Sequence, residues 1–404
     1  MRDVPDSPDA ATRSVLHVSP YMHPAAGGPP VVVERWAELA GAHGWRARVL
    51  STPAYAEDNG RSLLAAADGR YDLTLISSAL DVLHGRGRDA MLGLLKSADI
   101  VHLHTMWSQL NAVAAMACRR LGKPYVVSPH GMLDPYSLGE KALKKRLYLK
   151  LVESRTIDGA AAVVFTADDE RDLAIEQIGA VPDPQVVGLG ADAPALPTKS
   201  LVELFSATYP DLAGRPLLIF LGRLHPKKRP DAAIRAMATI VSRVPEATLL
   251  VVGSGERAYL RELESLTSRL GLDRHVRFLG HLTAEAKWAA LAASQIFLLP
   301  SRQENFAIAV AEALQVGAPV LITEKINIWR EIVRAGAGIT LREDDLDGDL
   351  ADHAADLLLD ADKRRAMADR ARSLARHAYT WQASTQKICA VYDRVLAPHR
   401  VTTG

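Results

Sequence analysis

Short apolar runs recur along this chain, each ending in a polar or glycine-bearing loop and each followed by apolar residues at helical spacing. Ser14 to Val18 leads into the loop YMHPAAGGPP and a helical stretch from Val31 to Ala42. Trp45 to Leu50, Tyr71 to Ser77, Ala98 to His104, the run from Pro124, and Ala160 to Thr166 continue the series. A strand followed by a helix, not by a tight turn, returns through a crossover and pairs in parallel. The predicted class is therefore α/β with parallel sheets. Between Val181 and Arg215 the periodicity fades, with prolines at 182, 184, 194, 197 and 210, and the theme restarts at Pro216 to Gly222. Two such runs with a proline-punctuated break imply two Rossmann-like, doubly wound domains facing a central cleft. The 404 residues are also too many for one ordinary core.

The expected division is a disordered lead segment 1–13, a first domain 14–195, a second 196–380, and a terminal helix 381–397 crossing back to the first, with Leu189 to Pro197 as the crossing point. A net charge of +1 excludes a bulk nucleic-acid binder. No apolar run approaches the ~18 residues that span a bilayer and residues 1–13 lack the apolar centre of a signal peptide, so a cytoplasmic location is expected. Cys118 and Cys389, far apart and both in helical patterns, read as buried thiols, not as a disulfide or zinc pair.

The densest chemistry lies in Pro300 to Thr323, PSRQENFAIAVAEALQVGAPVLIT. Glu304 stands at the loop-to-helix junction and Glu312 inside the helix. A helical rise of ~1.5 Å per residue separates them by roughly 12 Å and leaves them within ~80° of one face. Two acids so placed can grip opposite ends of an extended ligand, with the positive helix N-terminus near Phe306 to Ile308 beside its anionic middle. The plain alternative is a helix cap and a solvated face. The apolar neighbours of Glu312 argue for burial, where an acid needs a partner.

Elsewhere, Gly27-Gly28 and Gly253-Ser254-Gly255 follow strands and offer backbone N–H groups to a phosphate or sugar, or form simple turns. Arg223, directly after an apolar strand, and Lys228, in the loop Lys227-Lys228-Arg229, can neutralise a leaving pyrophosphate without a metal. His102 and His104 end a strand but lack a third ligand at metal-site spacing. His104 reads as a polar group at a strand's carboxyl end and His102 as structural. His130, at the end of the run from Pro124, projects from a strand end or caps a helix. The helical stretch around Lys141, Lys144, Lys145 and Arg146 carries leucines on one side and would suit an anionic membrane surface or plain solvent. The triplet Asp345 to Asp347 precedes an apolar-periodic helix and reads as acidic capping, not a metal site.

From Ser14 to Leu396 the chain resembles the retaining, metal-independent glycosyltransferases of family 4, of GT-B fold, through four marks. These are Gly27-Gly28, SPHGML at Ser128 to Leu133, GRLHPKK at Gly222 to Lys228, and Glu304 to Glu312 with Gly317-Ala318-Pro319-Val320 behind it. The resemblance implies a UDP- or GDP-sugar donor held by the second domain and a sugar or lipid-linked glycan acceptor by the first. Arg223 and Lys228 would form the pyrophosphate clamp, Glu312 the ribose ligand, Glu304 a contact to the sugar hydroxyls, and His130 a group beside the reacting carbon. Gly27, Gly28, Gly253, Gly255, Asn305, Phe306, Ala307 and Ile308 would complete the donor site, with no metal. The family usually has glycine where Ala307 stands, and Lys-Gly where Arg229-Pro230 stands. The implied attack comes from the leaving-group side, with a phosphate oxygen taking the acceptor's proton. A nucleotide-sugar epimerase of the same architecture and a catalytically silent nucleotide-sugar-binding regulator are the competing readings.

Overall fold

The structure, a computed structural model, describes residues 13–83, 85–192, 196–343 and 346–397, with no side chain described at Asp347. Residues 1–12 of the expected lead segment, 193–195 of the expected crossing and Asp345 of the acidic triplet lie outside the described residues. The chain divides into two compact units. Unit 1 takes the chain up to Phe165, Arg171–Val187 and the chain from Ser384 on; unit 2 takes Thr166–Glu170 and Gly188–Ala383. The division at Val187 falls before the 195/196 boundary read from the sequence.

Among the described residues, unit 1 holds a seven-stranded sheet of β1 (Arg13–Val18), β2 (Trp45–Ser51), β3 (Asp72–Leu75), β4 (Ile100–His104), β5 (Tyr125–Ser128), β6 (Ala162–Phe165) and β7 (Pro184–Val186). Its order is β3-β2-β1-β4-β5-β6-β7, all parallel. Val15, Leu16, Val18, Ile100, Val101 and Leu103 are fully buried. That is why β1 and β4 read as near-continuous apolar runs: helices cover both faces of a parallel sheet. The strand order reverses between β1 and β4, and at such a switch point the carboxyl ends open a crevice for ligands.

Unit 2 holds a six-stranded parallel sheet of β8 (Leu217–Leu221), β9 (Thr248–Val252), β10 (Val276–Gly280), β11 (Ile296–Leu299), β12 (Val320–Thr323) and β13 (Gly338–Leu341), in the order β10-β9-β8-β11-β12-β13. Its switch point lies between β8 and β11. The loops carrying Arg223 and Lys228 leave β8, and the loop carrying Glu304 leaves β11. Strands β7 and β13 fall in stretches that read as loops in the sequence. Both are sheet edges, with one neighbour each, and such short strands need little apolar patterning.

The terminal helix Trp381–Leu396 belongs to unit 1 from Ser384 on. Trp36 Nε1 donates to Ser384 Oγ at 2.9 Å, and buried Tyr392 packs edge-on against Trp45. Cys118 and Cys389 are free, buried thiols. Among the described residues no helix is long and apolar enough to cross a membrane.

Candidate active site

In unit 2, β8 ends at Leu221 and the chain turns through a single 3-10 turn, Pro226–Lys228. Lys228 folds back along Gly222, whose missing side chain leaves room for the lysine methylenes. Its Nζ reaches Glu304 Oε1 at 2.8 Å, and the same oxygen accepts from Ser301 Oγ at 3.1 Å. The two loops are tied through their backbones as well, since Arg302 N–H donates to the Lys227 carbonyl at 2.8 Å. Arg223 is exposed, and among the described residues it forms no ion pair.

One sequence expectation about the acids needs correction. Glu304 is not helical: it sits in the loop, bridged to Ile326, and the helix begins only at Ile308, so the rise-per-residue separation does not apply. The physical reason is Ala307, which takes a left-handed conformation (φ 59°, ψ 72°) and breaks the path into the helix. Glu312 is mostly shielded, its side chain 13% exposed, and it has the partner such an acid needs: Lys287 Nζ, from the helix Ala284–Ala293, at 2.5 Å. Burial raises the Glu312 pKa; Lys287 pulls it back only in part. Lys287 was missed, although a lone cation in the apolar-periodic helix AEAKWAALAA is a sequence signal for a buried partner.

The other residues of this loop divide by role. Phe306 is buried and packs edge-on against Tyr379 at 5.3 Å, so only its main chain can face a ligand. Asn305, with its amide nitrogen toward the carboxylate, donates to Glu170 Oε2 at 2.9 Å and accepts from Thr166 Oγ1 at 2.9 Å. Ala307 and Ile308 form the N-terminus of the helix. Gly253 and Gly255 are required by close packing: a Cβ would lie 1.9 Å from the Gly222 carbonyl oxygen at the first and 2.1 Å from the Leu224 oxygen at the second. That packing extends the β8–β9 pairing beyond the strands, with Leu224 N–H donating to the Ser254 carbonyl at 2.8 Å.

In unit 1 the switch point is lined by histidines. Parallel pairing sets His17 of β1 beside His102 of β4, with His104 two places on, and His130 follows β5. The third imidazole that the sequence spacing lacks is thus supplied by the neighbouring strand, since sheet register is invisible to spacing along one chain. Ring nitrogens of His17, His102 and His104 lie within 4.8 Å of one another. All of these nitrogens but His17 Nε2 are already engaged. His17 Nδ1 meets His104 Nε2 at 2.9 Å, His104 Nδ1 meets His130 Nε2 at 3.1 Å, and His102 is held by Tyr392 at 2.7 Å and Ser128 at 2.8 Å. Burial lowers all four pKa values, His17 to about 3 and His130 to about 4. At neutral pH the rings are uncharged. Gly27 (φ 97°) precedes the helix Gly28–Leu39, and among the described residues nothing beyond the local chain lies within 4 Å of a Cβ position at either glycine.

Next to these strand ends lies a cavity of about 990 Å³ walled by Tyr21, Tyr55, Trp107 and Tyr148 and edged by Lys141, Lys144 and Lys145. Lys145 donates to the Ser137 carbonyl and lies over the Trp107 ring, 5.7 Å from its centroid. Three wall residues, Tyr55 (φ 70°), Trp107 (φ 65°) and Lys141 (φ 55°), hold left-handed backbones. Such conformations persist where the surrounding structure over-determines them. The Trp107 N–H is pinned by buried Glu153 Oε1 at 2.5 Å. Burial pushes that carboxyl up to about 7, against the opposing pull of the Trp107 and Ser108 amides. Glu153 was not singled out in the sequence. An acid at the end of a basic helical stretch looks solvated there.

A model described as Glycosyl transferases group 1 matches residues 208–374, and one described as Glycosyl transferase 4-like domain matches residues 27–190. The chain is 31% identical over 314 residues to a D-inositol 3-phosphate glycosyltransferase of Thermomonospora curvata, covering 73% of this chain and 71% of that one. It is 27% identical over 394 residues to a phosphatidyl-myo-inositol mannosyltransferase of Mycobacterium leprae, covering 94% and 96%. Among solved structures, Anabaena HepE in complex with UDP and glucose superposes with a TM-score of 0.77 at 20% identity over 95% of this chain and all of that one. WaaG, a glycosyltransferase involved in lipopolysaccharide biosynthesis, gives 0.66 at 19% identity over 95% of this chain and 100% of that one. With two parallel α/β units, the marks of both models and a relative at this identity, the chain belongs to the family 4 type of glycosyltransferases and has the GT-B fold.

Proposed function

We propose that this chain transfers a hexose, with retention, from a UDP- or GDP-linked sugar to a sugar or lipid-linked glycan acceptor, without a metal. The observation that carries the reading is Lys228 held on Glu304, with Arg223 exposed on the same loop after β8, at the carboxyl ends of β8 and β11. As the bond from the anomeric carbon to the β-phosphate oxygen breaks, charge grows on the diphosphate. Fixed cations stabilise that charge more in the transition state than in the ground state. Lys228 and Arg223 are assigned to the phosphates, with the backbone N–H groups at Ala307 and Ile308 adding the helix dipole. Glu304, released from Lys228 by the phosphates, takes sugar hydroxyls, and Glu312 takes the ribose. Main-chain atoms of Asn305, Phe306, Gly253 and Gly255 border the donor. The acceptor oxygen bonds to the anomeric carbon on the face the diphosphate leaves, and its proton passes to a phosphate oxygen.

On unit 1, Gly28 offers its main-chain N–H and His130 a ring nitrogen to substrate oxygens; the Gly27 N–H is already given to the Pro24 carbonyl at 3.0 Å, so Gly27 contributes only a surface without a side chain. The aromatic cavity is assigned to the acceptor: ring faces suit sugars or polyols, and the lysine row suits a phosphate. The relatives' names carry phosphatidyl-myo-inositol and D-inositol 3-phosphate, both phosphate-bearing. Leu143, Leu147 and Leu151 stand 85%, 59% and 53% exposed on the segment that carries these lysines, which favours a peripheral contact with an anionic membrane from the cytoplasm.

The test is release of nucleoside diphosphate from UDP-glucose and from GDP-mannose, with and without inositol phosphate or phosphatidylinositol vesicles, in EDTA. Acceptor-dependent release in chelator supports the reading. Isomerised donor, binding without turnover, or activity restored only by magnesium would overturn it.

A further inference from the structure

We propose that the imidazoles of His17, His104 and His130 form a one-way hydrogen-bonded chain that fixes His130 in the tautomer protonated on Nδ1, which makes His17 and His104 positioning residues. The proposal rests on the reading of His130 as a substrate contact, and it adds which nitrogen carries the proton and what holds it there.

Each contact in the chain is nitrogen to nitrogen, so one ring must donate and the other accept. A neutral imidazole has one N–H and one bare nitrogen, so the choice at one contact dictates the other. Two polarities exist. If protons point inward, His130 donates from Nε2 to His104 Nδ1, His104 donates from Nε2 to His17 Nδ1, and the last N–H stands on His17 Nε2. That atom is buried and has no hydrogen-bond partner. His102, the neighbouring ring, has both nitrogens committed to Tyr392 and Ser128. If protons point outward, His17 Nε2 is a bare acceptor, each inner ring donates from Nδ1, and the free N–H stands on His130 Nδ1. Buried donors without acceptors are rarer in folded proteins than under-used acceptors, so the outward polarity is favoured.

The surroundings hold the chain in place. His17 is 1% exposed, His104 is fully buried, and Trp36 packs against His104 with the rings tilted by 48° and centroids 5.9 Å apart. The His104 and His130 rings are nearly coplanar, 15° apart with centroids 5.4 Å apart, so their contact runs edge to edge. His130 itself is half-buried on a left-handed backbone (φ 53°), and among the described residues its Nδ1 makes no hydrogen bond. Desolvation keeps every ring neutral at working pH, so the exposed end offers a hydrogen bond without a positive charge. Such a donor can hold a sugar hydroxyl without attracting the departing diphosphate.

The experiment is a long-range proton–nitrogen correlation spectrum of the full chain with nitrogen-labelled histidine at pH 7.5, with His130 assigned from His130→Gln. The expected result is an Nδ1-protonated pattern for His130. His17→Phe, which removes the inner donor, is expected to shift His130 toward mixed tautomers, and His17→Gln, which can donate through its amide, to keep the Nδ1 pattern. An Nε2-protonated His130 in the parent protein, or a pattern indifferent to His17→Phe, would overturn the proposal. The parent spectrum alone decides the polarity should His17→Phe fail to fold. With whichever of UDP-glucose or GDP-mannose is turned over, His17→Phe is expected to lower kcat about tenfold, restored by His17→Gln. A parent protein with the expected tautomer but no turnover refutes the transferase reading and leaves the chain of imidazoles standing.

Discussion

The two switch points of this molecule have the same topology and opposite electrostatics. At β8 and β11, unit 2 gathers charges in pairs, Lys228 with Glu304, and on the helices behind them Lys287 with Glu312. At β1 and β4, unit 1 gathers four imidazoles that burial keeps neutral, bonded to one another and to hydroxyls. The difference teaches what each crevice is suited to. Paired charges can be exchanged for a ligand's phosphates as charge develops, whereas a neutral network can only orient.

The largest expected effect tests the charged side. Lys228→Ala or Arg223→Ala is expected to lower kcat by ~10²-fold, about 2.7 kcal/mol, while His104→Gln costs far less. A His104 effect equal to that of Lys228, measured under saturating donor, would break the contrast.

Next, Lys287→Met leaves the mostly shielded Glu312 without its cation and is expected to destabilise the fold by roughly 3 kcal/mol in chemical denaturation. Adding Glu312→Leu should recover most of that loss, because the pair as a whole is nearly exchangeable for apolar contact. No recovery would mean that Lys287 acts through packing on Trp288 and not through the acid.

Two groups of unit 1 should respond to pH with opposite sign. Glu153 is raised from 4.5 to about 7, so the folded state holds a proton the unfolded chain releases. Its contribution is complete below 4.5 and lost as pH rises through 7. Glu153→Gln should therefore gain in Tm, relative to the parent, between pH 5 and pH 8. His17 is lowered from 6.5 to about 3, so its contribution is present above 6.5 and lost as pH falls toward 3. His17→Phe should lessen acid sensitivity over that window, and a flat difference in either series would remove the titration from the comparison.

The smallest effect concerns a single backbone. Ala307 bears a methyl in a conformation that costs an L-residue about 1–2 kcal/mol and suits glycine, whose own folding entropy offsets part of the gain. Ala307→Gly should stabilise the protein by roughly 0.5 kcal/mol in thermal unfolding. A loss would mean that neighbouring packing, not backbone strain, dominates this position.

Much of this was legible in the residues. The central strands announced themselves because parallel strands covered on both faces must be apolar throughout, as in Pro216 to Gly222, whereas the edge strands β7 and β13 carried too little patterning to be seen. Glu304, Arg223 and Lys228 could be singled out because strand ends and helix starts have local signatures. Lys287, His17 and Glu153 were passed over because each matters through a partner distant in the chain. The helical spacing applied to Glu304 failed at one residue, Ala307, whose left-handed turn no propensity predicts.

The sequence by itself determined the alternation of strand and helix, the two-part division and the residues that crowd the strand ends, since these follow from periodicity and chain stiffness over a few residues. Only the tertiary structure decided which lysine neutralises each acid and that three histidines from two strands and a following loop form one connected chain. Parallel pairing brings side by side residues such as His17 and His102, and nothing along the chain between them records that register.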